Sequence, residues 1–212
     1  MPALLAALPA GGHWRTADHP NDAAELLADQ SSWLAVLVVF FYAPLEASIS
    51  LWTFALLRER GQDEREAGGL LYGFWAAFLA SRLLVAVGQH GGIVSESWDS
   101  WLVVVPPLLA AVVLGNLAGA SHRGRPLTGL ILLGLLLGPV FPTLLGMIFR
   151  HVAPADQGLA YGMVFAGGSL GTLLLSPLVG FRTRQPQQAM LRLPILLGLL
   201  LTAVALVLGL MT

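Results

Sequence analysis

The sequence predicts an all-α integral membrane protein with six transmembrane helices, and three observations carry that reading. Of the 212 residues, 56% are hydrophobic and 11% are charged, whereas soluble domains carry roughly 25% charged residues. Apolar runs long enough to cross a hydrocarbon core of about 30 Å recur at 33–57, 68–88, 101–120, 127–149, 158–181 and 189–211. The connectors RERGQDEREA, QHGGIVSESWDS, SHRGRP, RHVAPADQ and RTRQPQQ leave no room for a soluble domain.

Residues 1–32 read as a tail. Its opening, MPALLAALPAGG, lacks a basic n-region and is interrupted by proline, which argues against a cleaved signal peptide. Pro20-Asn21-Asp22 looks like a helix start, so 23–28 is expected to form a short surface helix. The first span begins at Trp33 and the third at Trp101, with Trp98 just before it; indole rings favour the headgroup layer. Span four holds the stretch LGPVFPTL (137–144), with two prolines three positions apart, although a proline in a helix interior costs about 3 kcal/mol. Glycines recur at four-residue spacing as Gly115/Gly119, Gly134/Gly138, Gly158/Gly162 and Gly167/Gly171. Lipid is as apolar as leucine, so helices in a bilayer associate through the close backbone approach that glycine permits. Ordinary packing accounts for most of these glycines, and they name no chemistry.

A net charge of −1 argues against a nucleic-acid partner, because such proteins present a basic surface. Cysteine is absent and all eleven basic residues are arginine, so disulfides and thiolate metal sites are excluded. No His-x-x-x-His pair, carboxylate cluster or phosphate-binding glycine loop is present, and no metal or cofactor is expected. Gly167-Gly168-Ser169-Leu170-Gly171 matches the nucleophile elbow G-x-S-x-G. A serine hydrolase or intramembrane protease needs a histidine within reach of that serine. His13, His19, His90, His122 and His151 all fall in the tail or loops, so an enzyme is not expected.

Glu46, Arg82 and Asn116 lie inside spans. A charge at a helix centre costs about 2.5 to 3.5 kcal/mol on insertion scales, so it usually faces the bundle interior or a water-filled cavity. Asn116 sits near a span end, where it reaches interfacial water. Glu46 and Arg82 both lie roughly 16 to 21 Å from one membrane face at about 1.5 Å per residue, so a pair between them is geometrically allowed. Tyr42, Glu46, Ile49, Ser50 and Thr53 share one helical face, and Trp75, Phe78 and Arg82 share another. Two such faces opposed suit a sugar-like ligand, though an ion pair that only fixes helix register would use the same charges.

Three stretches, FYAPLEASISLWTF (40–54), FWAAFLASRLL (74–84) and GPVFPTLLGMIFRHVAPADQGLAYGMVFAGGSLGTLLLSPLVG (138–180), together resemble the second six-span half of the major facilitator superfamily. The nearest likeness is to fucose-permease-like sugar:proton symporters, over residues 33–211. Glutamate and tryptophan in span one, G-P-x-F-P-T in span four and G-x-L-G-x(5)-P-x-x-G in span five carry it. The chain departs from that pattern in lacking a first half and a basic signature after span two. The resemblance implies half of a major facilitator fold, a 3+3 inverted repeat, in which the interrupted helix at Pro139 and Pro142 lines a transport path. Thr143 is expected to help satisfy the freed backbone.

The resemblance further implies a solute wall of Tyr42, Glu46, Ser50, Trp52, Trp75, Phe78, Arg82, Phe141 and Thr143, with proton coupling at Glu46 and Arg82. The expected protein is a half-size transporter, a homodimer in a bacterial inner membrane, moving a small polar solute by alternating access. The competing readings are a non-transporting scaffold or regulatory subunit, and a C-terminal half that pairs with a separate first-half protein.

Orientation sets two rules against each other. Loops one, three and five carry Arg58, Arg60, Arg65, Arg123, Arg125, Arg182 and Arg184, against Arg15 and Arg150 on the other side, so the positive-inside rule places both termini outside. The family geometry places them in the cytoplasm, and Glu59, Asp63, Glu64 and Glu66 accompany the arginines of loop one. Following the family, a cytoplasm-only reporter fused at Thr212 is expected to be active and one inserted within 58–66 silent. The reverse pattern shows that the charge rule governs.

Overall fold

A computed structural model describes residues 28–59, 64–119, 126–182 and 187–211. Its helices are α1 (Gln30–Glu59), α2 (Glu64–His90), α3 (Asp99–Gly119), α4 (Pro126–Leu137), α5 (Val140–His151), α6 (Gln157–Arg182) and α7 (Gln187–Met211), with a 3₁₀ turn at Glu96–Trp98 before α3. Six stretches of these helices are long and apolar enough to cross a membrane, α4 and α5 together forming the fourth. The helix expected within 23–28 falls, apart from Ala28, outside the described residues.

The first span begins earlier than its apolar run suggests, because Asp29 caps it. The carboxylate accepts the backbone N–H of Ser32 at 2.8 Å, the Ser32 hydroxyl at 2.9 Å and the Ser31 N–H at 3.3 Å. These bonds satisfy donors that a helix start leaves orphaned. Burial pushes the Asp29 carboxyl up, but the bonds from Ser32 and Ser31 outweigh it and hold the group below its ordinary 3.8. Trp33, Trp98 and Trp101 are exposed at span ends, as membrane-interface anchors are.

Packing follows an exchange pattern. Span one packs on span five and span six, span four packs on span two and span three, and spans three and six pack on each other. Exchanging the first three spans for the last three maps this pairing onto itself, as a 3+3 repeat requires. Spans one and four are central, with 44% and 50% of their apolar windows buried, whereas span two, at 17%, lies at the flank.

Two of the four glycine pairs make the close approaches. A Cβ at Gly171 would overlap the Phe40 carbonyl oxygen of α1, and one at Gly167 or Gly168 would press on Val36 or Val39. On the other flank, a Cβ at Gly134 would overlap the Phe74 carbonyl oxygen, and one at Gly138 the Phe78 carbonyl oxygen and Ser81 hydroxyl of α2. Gly115, Gly158 and Gly162 face open space. The elbow-like GGSLG segment is thus mid-helix packing surface, and Ser169 Oγ donates back to the Phe165 carbonyl at 2.9 Å.

Substituting valine at Gly171 is expected to destabilise the bundle by about 1–3 kcal/mol, since the obstructing atom is backbone and cannot swing aside. Gly158→Ala, with nothing within 4 Å, serves as the neutral control. Thermal unfolding in detergent micelles separates them, and equal melting would show that α1 and α6 pack elsewhere.

Candidate functional site: the break in span four

Span four is interrupted once, at Gly138–Pro139, not twice as its two prolines suggest. Pro139 occupies the cap position of α5 and Pro142 falls in its first turn, where a helix needs no intrahelical N–H donor. Pro44, Pro106, Pro107, Pro177 and Pro194 lie inside helices that run on unbroken. A proline alone therefore does not interrupt a helix in this bundle.

The break frees backbone oxygens at Leu137 and Gly138, two residues buried in the bundle. Pro142 has no N–H to give the Gly138 carbonyl four residues earlier, and Leu137 is the last residue of α4. Two neighbouring spans take up these acceptors. The Tyr42 hydroxyl of α1 donates to the Leu137 carbonyl at 3.0 Å, and Arg82 Nε of α2 donates to the Gly138 carbonyl at 3.0 Å. Arg82 Nη2 also reaches the Tyr42 oxygen at 3.5 Å. The guanidinium carbon lies 4.3 Å from the Phe78 ring centroid and 6.0 Å from that of Phe141, a cation–π seat. Phe141 in turn stacks on Tyr42 at 6.4 Å and 15°.

Tyr42, Phe78, Arg82 and Phe141 are thus brought together from three spans. Glu46 is half-buried one turn beyond Tyr42, within electrostatic reach of its hydroxyl and of Arg82. Glu46 and Arg82 do not form the ion pair the sequence allows: among the described residues both ion pairs fall on Arg150. Ser50 is half-buried a further turn along α1, and the side chain of Trp52 lies outside the described residues. Trp75 is 41% exposed, edge-on to Phe74 and Phe78 at 5.0 and 5.3 Å, at the rim of the cluster.

Thr143 corrects an expectation. It is buried, yet its hydroxyl has no hydrogen-bond partner among the described residues, and only its backbone N–H takes part, donating to Pro139 at 3.1 Å. The freed carbonyls are served by Tyr42 and Arg82 because a short hydroxyl cannot turn back past Pro142 to reach them. Asn116 donates to the Val112 carbonyl on its own helix at 3.0 Å and takes no part in the cluster.

Similarity to known proteins sharpens the class. The chain is 28% identical over 138 residues to the human voltage-gated purine nucleotide uniporter SLC17A9, and 30% identical over 131 residues to the rat and mouse proteins of that name. The matches cover 60%, 58% and 58% of this chain but 29%, 27% and 27% of the relatives, so they span less than a third of each relative's length. No family model and no solved structure matches. These relatives support a transporter of major facilitator type without singling out the fucose-permease-like branch.

A second polar cluster, built from residues that lie between the apolar runs, closes the end of the bundle that carries Asp29. Asp99 begins α3 and is 1% exposed. Its carboxylate accepts Arg150 Nη2 from the end of α5 and Gln89 Nε2, at 2.9 Å, from the end of α2, while Glu96 lies 3.9 Å from Arg150 Nε. Three spans are tied at one point. The only sequence signal was an arginine closing span four and an aspartate opening span three; nothing in either span's period joins them.

Asp99→Ala is expected to cost about 1–3 kcal/mol, since Gln89 and Arg150 lose their shared acceptor and Arg150 is only partly open to water. The double variant Asp99→Ala/Arg150→Ala should cost less than the sum of the two single changes. Strict additivity in thermal unfolding would show that the contact contributes nothing.

Proposed function

We propose that the chain forms one wall of a secondary transport pathway, moving a small polar solute by alternating access against a second six-span unit. One observation carries this reading. A guanidinium, a phenol and two aromatic rings from three spans gather around an interrupted helix deep in an apolar bundle. Intramembrane charge and broken backbone are costly, and they occur together where a bundle lines a solute path.

The solute is read as sugar-like or sugar-bearing. Tyr42, Phe78 and Phe141 offer ring faces, and Arg82 has donors beyond the two in use, enough for a hydroxyl-rich or anionic group. The activity for which the relatives are named extends the candidates to purine nucleotides. We further propose a second copy as the opposing wall, giving a homodimer in a bacterial inner membrane, with proton coupling through Glu46. The half-buried carboxylate supports the coupling step.

A second reading, uniport of an organic anion driven by membrane potential, is favoured by the relatives and by Arg82, which forms no ion pair among the described residues. Uptake into proteoliposomes of free sugars and of purine nucleotides, with a proton gradient or with a potential alone, separates the two. Under symport, Glu46→Gln abolishes gradient-driven accumulation and spares exchange. Under uniport, it leaves potential-driven uptake intact. Uptake of neither class under either driving force would leave the scaffold reading.

A further inference from the structure

We propose that Arg82 is a positioning residue that holds the break in span four and fixes the angle between its two halves, standing in for the backbone donor that Pro142 lacks. Arg82 comes from α2, fixed against α4 by the close approach of Gly134 and Gly138 to Phe74 and Phe78. Its Nε bond to Gly138 ends on the one carbonyl that residue 142 would serve in a continuous helix. The Phe78 ring under the guanidinium keeps the fork from turning away. The bond belongs to the hinge before it belongs to any ligand. That the hinge lines a transport path rests on the reading above; the role of Arg82 in holding it does not.

The chain has no cysteine, so two introduced cysteines can be spin-labelled without background. Thr128 near the start of α4 and His151 at the end of α5 are exposed and bracket the break. A straight continuous helix would hold them about 35 Å apart, and any bend at the break shortens that distance. Measured by pulsed electron resonance in nanodiscs without solute, Arg82→Gln is expected to broaden the distance distribution. Pro142→Ala, which restores the amide N–H, should narrow it and move it towards the straight value. The double variant Pro142→Ala/Arg82→Gln should match Pro142→Ala alone, because Gly138 then needs no side-chain donor.

A distribution unchanged by Arg82→Gln overturns the proposal, as does a double variant as broad as Arg82→Gln. Should Arg82→Gln alone fail to fold, the double variant must fold, and its failure counts equally against the idea. Because no solute is present, these outcomes are independent of transport. A confirmed strut in a protein that takes up nothing sinks the transport reading and leaves the strut standing.

Discussion

Two carbonyl oxygens freed by a break in span four, each served by a side chain from another span, organise this bundle. A backbone acceptor left unpaired in hydrocarbon costs several kcal/mol, so a broken helix persists there only where neighbours supply donors. The donors to Leu137 and Gly138 are Tyr42 and Arg82, on different spans. The break in span four is therefore tied to spans one and two beside it. The glycines follow from the same requirement: a side chain at Gly134 or Gly138 would push α2 away and carry the Arg82 fork out of reach of its acceptor.

Much of this was legible in the sequence because the bilayer makes fold a matter of length and composition. Six apolar runs of sufficient length leave few alternatives, and the spans found agree with the runs to within a few residues except where a cap such as Asp29 starts a helix early. The pairing of Tyr42 with Arg82 was half visible. Helical periodicity placed each on a face with other polar or aromatic groups, but the equal depth read from the sequence was that of Glu46 and Arg82, one turn from the contact that forms. What periodicity could not say was which acceptor each would take, because a carbonyl becomes available only through a break elsewhere in the chain. Thr143 was named for nearness in sequence to that break, yet a helical side chain leans over the preceding turn of its own helix, and its hydroxyl does not reach either oxygen.

Asp99 and Arg150 mark the opposite limit. Both sit at span ends, where a sequence offers many solvated charges, and nothing distinguishes a buried ion pair from two surface residues. Their proximity is a product of the packing of α3 against α5, which depends on the pairing of all six spans. The result is a bundle tied at one end by charge and at mid-depth by a side-chain strut, with close glycine seams along both flanks.

The identity of Arg82's partners bears on what the cluster can do. Had Glu46 closed on Arg82 as a buried ion pair, each charge would have cancelled the other, and a ligand would have had to break that pair to gain either. Arg82 instead rests on a carbonyl, a phenol oxygen and an aromatic face, all neutral. A guanidinium held this way is positioned and has donors to spare. An oxyanion offers it a stronger hydrogen bond than a carbonyl does, since both partners are then charged and the planar fork can bind it in bidentate fashion. Any ligand group that claims Nε does so in competition with Gly138, so occupancy of such a site and the bend of span four draw on the same donor.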